Sequence, residues 1–126
     1  MTDVVRKRNY PRAPVDSPAQ YRTPAGSQYG ARTGNISTGG VLLIAEDPQV
    51  LPHDRLELAL QLPGLHGPML VRCQVVWITE APMFAGSRVH GFGVQFLDLP
   101  DGDFLALAAL VENYVRLWER GTTPSA

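Results

Sequence analysis

The chain has 126 residues, a net charge of −1 and a hydrophobic fraction of 44%. These values fit one globular domain and exclude a disordered polymer or a generally basic nucleic-acid-binding protein. The single cysteine, Cys73, excludes an intrachain disulfide, and His53, His66 and His90 are too scattered to suggest a metal set. The N-terminus is charged with no apolar stretch behind it, and no run approaches a membrane span. The expectation is therefore a cytoplasmic protein with no signal segment and no membrane insertion.

Residues 1–13 read as a flexible arm, charged and punctuated by Pro11, with Pro14 just beyond. Residues 14–120 read as the folded domain and residues 121–126 as a tail. Strands are predicted at Val15–Thr23 and Gln28–Ile36, joined by Pro24-Ala25-Gly26-Ser27, which is good turn chemistry. Val41–Ala45 is a short apolar run with the character of a buried strand. In Arg55–Leu62 the leucines at 56, 58, 60 and 62 fall on one face. Met69–Thr79 places Val71, Cys73, Val75 and Trp77 on one side and Arg72 and Gln74 on the other. Val89–Leu97 groups Phe92, Val94 and Phe96, with Gly91 and Gly93 opposite. Closely spaced strands separated by Pro and Gly clusters favour a closed or nearly closed antiparallel barrel. The last element has helical spacing: Asp101 caps, and Phe104, Leu107, Ala108, Val111, Val115 and Trp118 form an apolar stripe ending before Gly121. That stripe packs on the barrel or serves a dimer.

Charge is unevenly placed. Residues 1–40 carry six basic groups against two acidic ones, whereas residues 41–126 carry five against ten. Two short motifs stand in the basic part. Arg8-Asn9-Tyr10-Pro11-Arg12 sets two guanidiniums on an extended arm, preceded by Arg6 and Lys7. Guanidiniums suit phosphate oxygens and the O6/N7 edge of guanine. Asn35-Ile36-Ser37-Thr38-Gly39-Gly40 lies at a strand junction. Its Asn and Ser offer short polar groups, and its glycines admit a flat ligand or a backbone at close range. The stretch lacks the Lys-Ser/Thr ending of a P-loop and leads into a strand. Each motif alone is equally at home in a solvated tail or a plain turn.

Their order, an Arg-x-x-x-Arg arm followed after strand and turn by Asn-x-Ser-x-x-Gly, resembles the cyclic di-GMP signature of the PilZ domain family. Val75-Val76-Trp77, Gly91-Phe92-Gly93-Val94-Gln95-Phe96 and the C-terminal helix fit the same pattern. The resemblance implies a mainly β fold: a six-stranded antiparallel β-barrel followed by an α-helix. It implies that Arg8 and Arg12 reach guanine and phosphate, and that Asn35, Ser37 and Gly40 line the barrel beneath the ligand. Lys7, Gly39 and Trp77 are secondary ligand-binding positions. Trp77 stacks near a base or is a core tryptophan in an alternating strand. The implied ligand is cyclic di-GMP, with no cofactor and no metal. The signal would leave through an unidentified effector protein or a ligand-linked dimer. Two other readings stand beside this one: a nucleotide-independent adaptor of the same fold, and a small barrel for single-stranded nucleic acid. The acidic charge of residues 41–126 opposes the second. No nucleophile–base constellation or carboxylate pair suggests an enzyme.

Overall fold

The computed structural model describes residues 12–119, with side chains as far as Arg116. Its strands are β1 (Ala13–Pro14), β2 (Pro18–Arg22), β3 (Gln28–Ile36), β4 (Gly40–Glu46), β5 (Arg55–Leu60), β6 (Met69–Ile78) and β7 (Val89–Phe96), followed by helix α1 (Asp101–Glu119). All pairings are antiparallel, in the order β1-β3-β2-β5-β6-β7-β4, and β3 also pairs with β4. That last pairing closes six strands into a barrel and leaves β1 as a short flap on β3. Closure removes the exposed sheet edges that an open sheet would present.

Alternation builds the interior. Leu56, Leu58 and Leu60 of β5, Val71, Cys73 and Val75 of β6, and Phe92, Val94 and Phe96 of β7 all point inward. They meet Tyr21, Ile36 and Leu43 from β2, β3 and β4. Tyr21 stacks edge-on against Phe92 at 5.4 Å between ring centroids, and its hydroxyl accepts the Gln49 backbone N–H at 3.1 Å. Such a partner is what a buried phenol needs. Burial pushes the Tyr21 pKa up.

The segment expected as one strand, Val15–Thr23, is broken. Residues 15–17 leave the ladder between β1 and β2. Thr33 compensates: its buried hydroxyl donates to the Val15 carbonyl and accepts the Ser17 N–H at 2.9 Å, while Val15 N–H donates to the Gly34 carbonyl at 3.0 Å. The backbone groups freed by the break are thus satisfied. Ala13 and Val15 are fully buried, so the segment just after Arg12 belongs to the barrel.

Helix α1 turns Leu107 and Val111 into the core, with Tyr114, Leu110 and Val115 half-buried at the margin. It lies beside Leu62, Pro63, Leu65 and Met69. Phe104, expected on the packed stripe, is 43% exposed. It sits in the first turn, where the chain has only just left the barrel. The side chain of Trp118 lies outside the described ones.

Candidate functional site

Arg12, the last residue of the first motif, meets the Asn35–Gly40 motif at the seam where β3, β4 and β7 join. Ala13 pairs with Ile36 and Pro14 with Asn35, so β1 delivers Arg12 to the end of β3 beside the Ser37 turn. An open depression of about 460 Å³ lies there, lined by Arg12, Asn35, Ser37, Thr38, Gly39 and Gly40 on one side and by Trp77, Gly93 and Gln95 on the other. Of the residues singled out from sequence, Arg12, Asn35, Ser37, Gly39, Gly40 and Trp77 therefore share one surface. Arg8 and Lys7 lie outside the described residues.

Asn35 owes its position to a β-bulge. Thr33 pairs with Leu43 and Ile36 with Val41, so β3 spends one residue more than β4 over this stretch. The extra residue turns Asn35 to the exterior while Ile36 stays fully buried.

Ser37 is buried and already occupied. Its N–H donates to the Gly40 carbonyl at 2.9 Å, and its Oγ accepts the N–H groups of Gly39 and Gly40 at 3.1 and 3.3 Å. The hydroxyl therefore latches the turn between β3 and β4 and sets how the glycine backbone faces the depression. Gly40 is required by the barrel itself. A Cβ there would stand 2.1 Å from the Val94 carbonyl oxygen, which is backbone and has little room to yield. The close approach expected of this glycine is an approach to β7.

Trp77 departs from the alternation. Val75 pairs with Val94 but Trp77 with Gly93, so Val76 is an extra residue in β6. The frame shifts by one, and Trp77 emerges on the outer face with Val76 instead of joining Val71, Cys73 and Val75 inside. Trp77 is 48% exposed and Val76 47%. The indole lies across Gly93, where a Cβ would meet its Nε1, Cε2 and Cζ2 at 2.3 to 2.9 Å. The core reading of Trp77 is thereby excluded, and an aromatic face flanks the depression.

Most of the described arginines are ion-paired. Arg22, Arg32, Arg72, Arg88 and Arg116 each stand beside a carboxylate: Glu57, Asp16, Asp98, the Glu46–Asp47 pair and Glu112, respectively. Among the described residues Arg12 and Arg55 have no such neighbour; both are exposed, and of the two only Arg12 lines the depression. A cation, two amides, glycine backbone and an indole can together hold an anionic, flat, hydrogen-bonding ligand. Among the described residues, no group of three His, Cys, Asp or Glu side chains is placed to hold a metal ion. Burial pushes the Cys73 thiol up to about 12, which suits a packing residue and opposes a thiolate nucleophile. Among the described residues, no helix is long and apolar enough to cross a membrane. Sequence reasoning missed Gln95, which reads there as an ordinary outward polar residue on a strand.

The PilZ domain family model matches residues 6–113. No curated protein matches the chain. Solved structures share the fold. The PilZ domain of YcgR from Escherichia coli, determined with c-di-GMP, is 16% identical with a TM-score of 0.71, over 92% of this chain and 97% of that one. The Bacillus subtilis inhibitor of motility MotI/DgrA is 20% identical with a TM-score of 0.71, over 84% of this chain. MrkH of K. pneumonia in complex with c-di-GMP is 20% identical with a TM-score of 0.74, over 90% of this chain. This chain spans about half the length of the latter two, 50% and 55% respectively.

Proposed function

Because the chain belongs to the PilZ domain family, we propose that it is a cytoplasmic receptor for cyclic di-GMP that works by binding and not by catalysis. The observation that carries this reading is the convergence of Arg12, Asn35, the Ser37–Gly40 turn and Trp77 on one open depression. Arg12 pairs with a phosphate or a guanine edge, Trp77 offers a stacking face, and Asn35 and the turn backbone supply short hydrogen-bonding groups. Arg8 acts with Arg12, and Lys7 and Gly39 are secondary contacts. YcgR and MrkH bear the same fold in complexes with this nucleotide, which supports the choice of ligand.

The output is proposed to run through the arm. Two negative charges on the ligand draw Arg8 and Arg12 to the barrel and order the residues between them. That ordering costs about 1–2 kcal/mol for each residue fixed, which several charge-assisted hydrogen bonds must offset. The arm and barrel together then present a changed surface to an effector protein; a ligand-linked dimer is the other route for the signal. A nucleotide-independent adaptor would not need these polar groups gathered in one place.

Calorimetric titration with cyclic di-GMP, GTP and a short oligonucleotide tests the reading, with the mixtures inspected for turnover. Binding of cyclic di-GMP alone, unconverted, is expected; absence of that binding refutes it. Amide exchange tests the arm: protection of residues 6–13 should rise on adding ligand. Equal protection in both states would assign the output elsewhere.

A further inference from the structure

Gln95 is the polar side chain that β7 sends into the depression, and the site's surroundings are built around it. Its strand neighbours Val94 and Phe96 point into the core, so Gln95 faces out and is exposed. Across the ladder it pairs with Gly40 on one side and Gln74 on the other. Gly40 bears no side chain because the Val94 carbonyl forbids one, and Gly93, two residues back on the same face, bears none either. Gln95 thus stands beside bare backbone, with the Trp77 indole, lying across Gly93, as its diagonal neighbour.

That placement has a chemical consequence. A base stacked on an indole that lies across the sheet presents its edge along the barrel surface. A primary amide on two methylenes rises from the floor to meet such an edge, offering a donor and an acceptor side by side. Guanine presents the complement twice, as O6 with N1–H and as N3 with N2–H. We infer that Gln95 is a further ligand-binding residue, pairing its amide with the edge of the guanine stacked on Trp77. The inference rests on the cyclic di-GMP reading of the pocket.

Gln95→Ala and Gln95→Glu separate this role from its rivals. Gln95 is exposed and outside the core, so both variants should melt like the parent, which thermal unfolding checks. Loss of a paired edge should weaken cyclic di-GMP binding about tenfold in Gln95→Ala. A carboxylate accepts from both N1–H and N2–H of guanine, so Gln95→Glu should bind more tightly than Gln95→Ala. If Gln95→Ala binds like the parent, Gln95 makes no contact and the inference falls. If Gln95→Glu binds as weakly as Gln95→Ala or worse, the amide faces a phosphate that a carboxylate repels, and the base-edge assignment is overturned. A parent protein that does not bind cyclic di-GMP would be a different failure, that of the receptor reading itself, and this inference would go with it.

Discussion

Replacing Gly40 by alanine should damage the barrel before it damages any ligand contact. The added methyl would stand 2.1 Å from the Val94 carbonyl oxygen and 3.2 Å from its carbon, whereas ordinary contact begins at 3.4 Å. Relief requires β4 and β7 to part by about 1 Å at this point, since both sides of the clash are backbone. The bond from Phe96 N–H to the Gly39 carbonyl, now 2.9 Å, lies in the way of that movement. Overpacking costs about 1–3 kcal/mol and an unsatisfied buried backbone group about 1–3 kcal/mol, so a loss on the order of 3 kcal/mol is expected. For a domain of this size that is a fall in Tm of roughly 10 °C. Urea and thermal unfolding measure it. Two companions sharpen the test. Gly93→Ala makes a clash of similar depth against the Trp77 ring, but that ring is half-exposed and can swing aside. It should cost below about 1 kcal/mol and shift tryptophan emission. Gly30→Ala meets nothing within 4 Å and should gain about 0.5–1 kcal/mol. Parent-like unfolding of Gly40→Ala, or equal losses at Gly40 and Gly93, would refute the distinction between backbone and side-chain obstruction.

Arg12→Ala removes an exposed cation with no ion-pair partner among the described residues, so Tm should hold while cyclic di-GMP affinity falls at least about tenfold by calorimetry. Ser37→Ala deprives two backbone N–H groups of their acceptor and should cost about 1 kcal/mol in unfolding, with a smaller loss of affinity than Arg12→Ala. Cys73 should resist iodoacetamide in the native protein and react on unfolding, as mass spectrometry will show. Its thiol pKa rises from 9.0 to about 12 on folding, so above pH 9 the unfolded chain releases a proton that the folded one keeps. Stability from this source is complete below pH 9 and is lost as pH rises toward 12, which denaturant midpoints across that range should reveal.

Much of the barrel is legible in the sequence because its strands obey a period of two. Leu56, Leu58 and Leu60 alternate without interruption, and all three are buried. The same rule fails at Trp77, because one extra residue in β6 reverses the faces and a bulge leaves no mark in composition. The break at residues 15–17 is hidden for another reason: it is stabilised by Thr33, which lies in a different strand. The seam of the site follows the same division. Residue types at Arg12, Asn35 and Ser37 declare themselves through charge and spacing. The duty of Gly40 does not, since it depends on a carbonyl 54 positions away that only closure of the barrel brings near. Gln95 is silent in sequence for the mirror reason: its meaning comes from two neighbours that have no side chains.

The bulge at Val76 makes the outward face of this domain a matter of parity. Side chains beyond Val75 in β6 are assigned to core or solvent by whether an even or odd number of residues precedes them, not by their own hydrophobicity. The site is therefore tolerant of substitution at Val76 and intolerant of a residue added after it. Excising Val76 alone would make Trp77 the direct successor of inward-facing Val75 and leave the indole outside, opposite Gly93. Inserting one residue between Val76 and Trp77 would instead set the newcomer opposite Gly93 and turn the indole toward the interior that Val94 and Phe92 already fill. Gly93 would then lie uncovered, and the depression would lose its aromatic wall through a change in count alone.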